Sequence, residues 1–288
     1  MNRILKTLIY DNQLSLAVLD TTDMVNDAIK IHKLSPLSAA ALGRTMTVST
    51  FMASGLKNDT DKLSITIKGD GVGGEIVVCG NADLKMRGYI ANPNAELPLK
   101  ENGHLDVGGC VGKHGRITIV KSMGLKEPYS GSSELVTGEI AEDFTAYYTF
   151  SEQQPTAMAL GVKIGTDGKC VGAGGVIIQA LPGASEESLF MAEDTIMRMG
   201  NISTMIEEWG IDGVVDYFFG KLDFTERHPE YKCLCSRDYI ERILLSMGEK
   251  ELNDILKTEG KISVNCQFCE TDYNFNEDDI KALLSNKI

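Results

Sequence analysis

Apolar and polar residues alternate through most of the first 180 residues, which is the pattern of strands with one buried face. It is clearest in "RILKTLIYD" and "LSLAVLD", which predict a hairpin that turns near Asp11 and Asn12. Helical spacing follows over 21–33 and 36–55, and the second of these segments is rich in small residues. Further strands are predicted at "KLSITIKGD", "GEIVVCGN", "LKMRGYIAN", "GRITIVKSM", "TAMALGVKIG" and "CVGAGGVIIQAL", with a helix at "GEIAEDFTAYYTF". Because strands follow strands without regular intervening helices, residues 1–180 are predicted to form an α+β domain.

The pattern changes after Pro182 and Gly183, which end the last strand of this series. Ser185 is a predicted N-cap, and apolar residues then recur near a period of 3.6 with an interruption at Gly200. Four of the twelve methionines of the chain fall in this amphipathic segment. Its apolar stripe either packs on the domain before it or forms a surface that binds other molecules, because methionine is flexible and polarizable. The pattern leaves both readings open.

Charge and size narrow the classes of function. The 288 residues are 43% hydrophobic, which is enough to bury a substantial core, and the length predicts about two domains. The net charge is −13, and residues 181–230 alone hold three basic and eleven acidic side chains, a net charge of −8. Such a surface repels a phosphate backbone, so we expect no nucleic-acid partner. No apolar run approaches signal-peptide or membrane-span length, so we expect a soluble cytoplasmic protein with no membrane partner.

Four of the seven cysteines stand in two tight pairs, Cys233-Leu234-Cys235 and Cys266-Gln267-Phe268-Cys269. In a reducing compartment, such pairs are more typical of a metal site or a redox device than of a structural disulfide. Structural zinc takes four ligands in a tetrahedron, and two short-spaced pairs can each clamp the ion from one loop. We therefore predict one zinc ion per chain, with an unrelated pair of redox motifs as the alternative.

The segment 231–288 holds both pairs and few large apolar residues. Two short helices that end at Gly248 and Gly260 are predicted between the pairs, followed by a strand that runs into Cys266. Modules of this size usually need a metal or disulfides for stability. We therefore expect the segment to fold only with its metal.

Other suggestive motifs fail their structural context. "GDGVGG" matches a dinucleotide fingerprint at Gly69, Gly71 and Gly74, but a strand follows it rather than a helix. "GGCVGKHGR" resembles a phosphate loop only in part, since His114 occupies the Ser/Thr position. The remaining candidates are isolated and are interpreted as ordinary core or surface residues: His32, His104, His114, His228, Cys79, Cys110 and Cys170.

The arrangement of Cys-x-Cys, about thirty residues and Cys-x-x-Cys at the C-terminal end resembles the redox-regulated chaperones of the heat shock protein 33 family. The likeness extends to "GDGVGGEIVVCGNADLKMRGYI", "SEQQPT", "AGGVIIQALPGA", "CLCSRDYIERIL" and "CQFCETDYNFNEDDI". It implies an α+β core domain at 1–180, an acidic helical linker at 181–230 and a redox-sensing zinc module at 231–288.

The resemblance also implies a function outside catalysis. In such proteins the reduced, zinc-bound form is an inactive monomer, and oxidation gives the disulfides Cys233–Cys235 and Cys266–Cys269, zinc release and a homodimer. The active form holds unfolded or oxidatively damaged client proteins without ATP. The linker then supplies a client-binding surface, for which the candidates are Met197, Met199, Met205, Ile202, Ile206 and Trp209.

Two other classes of protein remain open. A thiol-disulfide exchange protein would use Cys266 and Cys269 directly, although the strand-to-helix setting of a thioredoxin-like motif is missing. A static zinc-ribbon adaptor would bind one partner permanently. The discriminating observation is whether an oxidant releases zinc and creates protection against aggregation.

Overall fold

The computed structural model of the protein describes residues 1–285 and divides the chain into two compact units. The first unit extends from Met1 to Lys232, and the second begins at Cys233. Residues 181–230 therefore belong to the first unit. The division into 1–180, 181–230 and 231–288 stays a prediction.

Within residues 1–232, all of which are described, the strands form two sheets. Their bounds are β1 (Arg3–Ile9), β2 (Leu14–Asp20), β3 (Lys62–Lys68), β4 (Ile76–Asn81), β5 (Lys85–Ile90), β6 (Arg116–Ser122), β7 (Tyr129–Glu134), β8 (Thr156–Ile164), β9 (Cys170–Ala180), β10 (Thr225–Arg227) and β11 (Glu230–Tyr231). The first sheet has the order β10-β1-β2-β9-β8, and the second has the order β11-β5-β4-β3-β6-β7. Neighbouring strands are antiparallel except β11 and β5, which are parallel.

Helices of the first unit lie between and beside these sheets. Their bounds are α1 (Thr22–His32), α2 (Pro36–Ala53), α3 (Val107–Val111), α4 (Ala141–Tyr147), α5 (Glu186–Arg198) and α6 (Ile202–Phe219), with a π-helical turn at Tyr148–Glu152 and a break in α6 at Gly210. No helix within residues 1–285 combines the length and the apolar character that crossing a bilayer requires.

Helix α2 is buried along almost its whole length because it packs against strands of both sheets. Its small residues let the strands approach closely. Its buried hydroxyls donate to carbonyl oxygens one turn earlier, as Thr45 does to Ala41 and Thr47 does to Gly43. The buried hydroxyls of this helix are therefore satisfied inside an apolar core.

The other face of the first sheet is covered by α5 and α6. Leu16 and Val18 of β2 and Val176 and Ile178 of β9 point toward these helices and form a second apolar cluster with them. Ser185 caps α5, since its side chain accepts a hydrogen bond from the Ser188 N–H. The N-cap prediction is therefore confirmed, and both faces of the sheet are buried.

The second unit is a small mixed module. Its elements are α7 (Arg237–Met247), α8 (Glu249–Glu259), β12 (Ile262–Cys266), β13 (Thr271–Phe275) and α9 (Glu277–Ser285). Gly248 and Gly260 end α7 and α8 as predicted. The buried core of its described part consists of six side chains: Ile240, Leu244, Leu252, Ile262, Phe275 and Ile280.

Several elements have no clear pattern in the sequence. Strand β7 has the sequence "YSGSSE" and lies at a sheet edge, where mostly exposed side chains need no apolar alternation. Strand β13 and helix α9 are likewise short and mostly polar. Pairing with a neighbouring strand, rather than local composition, makes β7 and β13 strands.

Candidate metal centre

The four cysteines of the two pairs come from three short stretches of the second unit. Cys233 and Cys235 lie in the irregular segment between β11 and α7, Cys266 is the last residue of β12, and Cys269 lies in the turn that leads to β13. Ser236 caps α7 by accepting a hydrogen bond from the Tyr239 N–H, so the helix begins directly after the first pair. The first pair therefore lies directly before a helix, and the second pair lies at a hairpin turn.

The hairpin turn brings Cys266 and Cys269 to the same side. The backbone N–H groups of Cys269 and Glu270 both donate to the Cys266 carbonyl oxygen, at 3.1 and 2.8 Å. Glu270 has a left-handed backbone with φ of 56°, which lets the chain reverse into β13. Both sulfurs of the Cys-x-x-Cys motif thus face the sulfurs of the other pair.

All four sulfur atoms lie within 4.8 Å of one another. Two sulfur pairs make contacts between the motifs, at 3.7 Å from Cys233 to Cys266 and 3.4 Å from Cys235 to Cys269. A tetrahedron with Zn–S bonds of about 2.3 Å has S–S edges of about 3.8 Å. The thiols are free and half-buried, so this donor set fits a four-coordinate zinc ion.

Burial and hydrogen bonding shift the pKa values of these thiols in opposite directions. Burial raises the pKa of Cys233 and of Cys266. Burial also opposes ionisation of Cys269, but hydrogen bonds with Thr271, Cys235 and Cys266 outweigh it and lower its pKa to about 7. Four adjacent thiolates repel one another unless a cation lies between them. The cluster therefore suits a dication that holds all four sulfurs deprotonated.

Two hydroxyl groups of β13 contact the sulfurs. The Tyr273 hydroxyl donates to the Cys235 sulfur at 3.2 Å, which raises the pKa of the phenol to about 12. The Thr271 hydroxyl lies 3.2 Å from the Cys269 sulfur. Sequence reasoning missed both residues, and the signal that could have found them is their alternate spacing directly after the Cys-x-x-Cys motif.

The model of the family described as "Hsp33 protein" matches residues 2–276 of this chain. The chain belongs to the Hsp33 family. The 33 kDa chaperonin of Clostridium novyi is 40% identical over 99% of this chain and 98% of its own length. The 33 kDa chaperonin of Ruminiclostridium cellulolyticum is 42% identical over 93% of this chain and 92% of its own length.

A solved structure of an Hsp33 homolog has the same fold as this chain. The 33 kDa chaperonin of Thermotoga maritima, described as a heat shock protein 33 homolog, superposes with a TM-score of 0.89 at 33% identity. The superposition covers 99% of this chain and 98% of the other. The mixed α and β fold is therefore that of the Hsp33 family, and the names of these relatives support a chaperone function.

The glycine-rich motifs have a structural role in this Hsp33-family fold. The run around Gly71 connects β3 to β4 and hydrogen-bonds to the segment around α3, through Gly71 N–H to the Val111 oxygen and Gly73 N–H to the Cys110 oxygen. A Cβ at Gly71 would overlap the backbone of that segment. The expectation of a strand connection is confirmed, and the two motifs pack against each other.

Two of the isolated histidines make side-chain contacts, and two of the isolated cysteines are buried. The His32 ring lies 3.0 Å from the Tyr231 hydroxyl, and the His228 ring lies 3.3 Å from a backbone oxygen. Cys110 and Cys170 are buried, and burial raises their pKa values to about 11 and about 12. These two behave as core residues, as predicted, whereas Cys79 is only half-buried.

The six candidate client-binding residues divide into buried and exposed members. Met199, Ile202 and Ile206 are buried against the first sheet, with exposures of 0, 2 and 4%, and Met205 packs at the edge of the same cluster. Met197 and Trp209 are 73 and 45% exposed. A client therefore has access to only part of this set while α5 and α6 cover the sheet.

Proposed function

We propose that this Hsp33-family protein is a redox-regulated, ATP-independent chaperone that protects unfolding and oxidatively damaged proteins from aggregation. One zinc ion, bound by Cys233, Cys235, Cys266 and Cys269, keeps it inactive in the reduced state. The observation that carries the proposal is the convergence of four free thiols within 4.8 Å. The chaperone class follows from the family.

The size of the module's core makes the metal decisive for its folding. Six buried apolar side chains form the core of the described part. A structural zinc ion contributes on the order of 10–16 kcal/mol of apparent folding free energy, whereas a whole domain has a net stability of about 5–15 kcal/mol. Loss of the metal is therefore expected to unfold the module.

An oxidant removes the ligands themselves. Two thiolates and one peroxide, with two protons, give one disulfide and two waters; the sulfurs lose two electrons, which the peroxide O–O bond accepts. We propose that the disulfides are Cys233–Cys235 and Cys266–Cys269, as the family resemblance implies. A disulfide sulfur is a poor zinc ligand, so the ion leaves as the pairs close.

Client binding is assigned to the apolar stripe of α5 and α6. In the proposed mechanism these helices leave the first sheet after the module unfolds, and Met199, Ile202 and Ile206 become available beside Met197, Met205 and Trp209. Because residues 181–230 carry a net charge of −8, apolar contacts rather than charge attraction must hold arbitrary clients. The oxidised protein is proposed to be a homodimer that acts in the cytoplasm.

The position of the second pair argues against a thiol-disulfide exchange protein. A thioredoxin-like motif opens a helix after a strand, whereas Cys266 and Cys269 lie at a hairpin turn between β12 and β13. The static adaptor is the alternative that an experiment must reject.

The experiment treats the zinc-loaded protein with hydrogen peroxide at a mildly elevated temperature. We expect release of about one zinc per chain, detected with a chromogenic chelator, and suppression of light scattering by a heat-unfolding client. A variant with Met197, Met199 and Met205 changed to Gln should protect less than one with Glu187, Glu193 and Glu208 changed to Gln. An adaptor would give no gain in protection after zinc release.

A further inference from the structure

Strand β13 presents its side chains to two different environments. Thr271, Tyr273 and Phe275 alternate with Asp272 and Asn274, so the first three share one face of the hairpin. Asp272 and Asn274 bond across the other face, to the Asn265 amide at 2.9 Å and the Ser263 hydroxyl at 2.8 Å. The first face therefore runs from the sulfur cluster to the buried Phe275 in the core.

Both hydroxyls on this face reach sulfurs of the cluster. Tyr273 donates to Cys235 and Thr271 lies beside Cys269, each at 3.2 Å. The Tyr273 ring packs against the core of the second unit, and its backbone pairs with Val264 of β12. The position of the Tyr273 hydroxyl is therefore held by packing and strand register together.

We propose that Tyr273 and Thr271 are positioning residues that slow oxidative metal loss from the four-cysteine centre. The inference rests on the proposed zinc function and names a control built into that site. It assigns one hydroxyl to a sulfur of each motif, so that both motifs are restrained from the same strand.

The physical reason is the effect of a hydrogen bond on a thiolate. A hydroxyl that donates to a metal-bound thiolate draws electron density from the sulfur lone pair and orients the ligand. Since the lone pair is the nucleophile in oxidation, its engagement slows attack on a peroxide oxygen. A thiolate carries no proton, so the Thr271 hydroxyl is the donor to Cys269 in the metal-bound state.

These hydroxyls retard the first step of a two-step oxidation. The Cys235 thiolate attacks one peroxide oxygen, the O–O bond breaks, and sulfenic acid and hydroxide form; the sulfur loses two electrons and the peroxide gains them. A second thiolate then attacks this sulfur and expels hydroxide, which leaves the disulfide. Removal of the Tyr273 hydroxyl frees the sulfur lone pair for the first attack.

The test uses the full-length, zinc-loaded chain with Tyr273→Phe and Thr271→Val, which remove the hydroxyls with little change in shape. Tyr239→Phe is the matched control, because it removes a phenol from the same unit at a side chain that is 48% exposed on α7. Zinc affinity is measured by chelator competition without oxidant, and zinc release is timed after addition of hydrogen peroxide. Circular dichroism of each zinc-loaded variant checks that it is folded.

We expect Tyr273→Phe to lower zinc affinity about tenfold and to speed peroxide-driven release by a similar factor, as is typical for loss of an outer hydrogen bond to a ligand. Thr271→Val should change both quantities in the same direction by a smaller factor, because Thr271 is exposed. Tyr239→Phe should match the parent.

The outcomes separate this inference from the proposed function. If the parent binds zinc and releases it with peroxide, but Tyr273→Phe and Thr271→Val behave as the parent does, the positioning role is wrong and the proposed function stands. If the parent itself binds no zinc, the proposed function fails first. If Tyr273→Phe does not fold, Thr271→Val decides alone, and parent-like release by that variant overturns the inference.

Discussion

At the scale of single residues, the second cysteine pair separates a switch from a static adaptor. Changing Cys266 and Cys269 together to Ser should abolish tight zinc binding, because a neutral hydroxyl is a far poorer zinc ligand than a thiolate. The module should then be unfolded even in reductant. A switch predicts that this variant suppresses client aggregation without any oxidant, as measured by light scattering of a heat-unfolding client in excess thiol.

Cys79→Ser is the control for this double change. Cys79 is a half-buried cysteine of β4, and its sulfur lies 3.6 Å from the Ser64 hydroxyl in the first unit. The Cys79→Ser variant should leave zinc content and the reduced, inactive state unchanged. Protection by the double variant that does not exceed that of the reduced parent would reject the masking mechanism, although zinc ligation could still stand.

At the scale of elements, the contact between α6 and β9 depends on a glycine. A Cβ at Gly172 would overlap the Ser203 carbonyl oxygen and lie 3.2 Å from the Glu207 Cβ, both on α6. Because a backbone atom cannot move alone, Gly172→Ala should push α6 away from the sheet and destabilise its packing by about 1–3 kcal/mol. We expect the reduced variant to bind more of a fluorescent hydrophobic dye and to protect a client partially.

Gly55→Ala is the matched control for this helix displacement. A Cβ at Gly55 would lie 3.4 Å from the nearest atom, the Met52 oxygen, which is an ordinary contact distance. The Gly55→Ala variant should bind the dye to the same extent as the parent. Equal dye binding by Gly172→Ala and the parent would contradict the view that α6 covers an apolar surface of the sheet.

At the scale of the whole molecule, residues 1–180 and residues 185–288 should respond differently to oxidation. One large apolar cluster of the first unit has its buried residues within 1–180, and the other depends on α5 and α6. The core of the described part of the second unit consists of six side chains. Oxidation with zinc release should therefore increase hydrogen exchange over 185–288 and leave most of 1–180 protected. Mass spectrometry of exchanged peptides, before and after peroxide treatment, measures this.

A chelator control distinguishes metal loss from thiol chemistry in the same exchange experiment. Removal of zinc in the presence of reductant should expose the second unit without any disulfide, and restored zinc should reverse the change. Uniform loosening of the whole chain, or exchange confined to the first unit, would contradict the metal-dependent module.

The four-cysteine cluster illustrates how far sequence reasoning reached. Four thiols in two short-spaced pairs determine the ligand chemistry by themselves, because the thiolate and its spacing are local properties. Ser185, Gly248 and Gly260 likewise act within one turn of their own helices, so their capping roles could be read directly. Strand β7 could not be predicted in this way, because "YSGSSE" has no apolar alternation. It is a strand because it pairs with β6.

Sequence alone determined the alternating and helical segments of this chain, the acidic stretch and the composition of the four-cysteine cluster, since each depends on neighbours along the chain. Only the tertiary structure decided that the methionine-rich stripe splits into buried Met199 and exposed Met197, and that Tyr273 and Thr271 reach the sulfurs. Those facts depend on which sheet face a helix covers and on the register of β12 with β13. Packing and register join residues that are distant in sequence, and no local pattern records them.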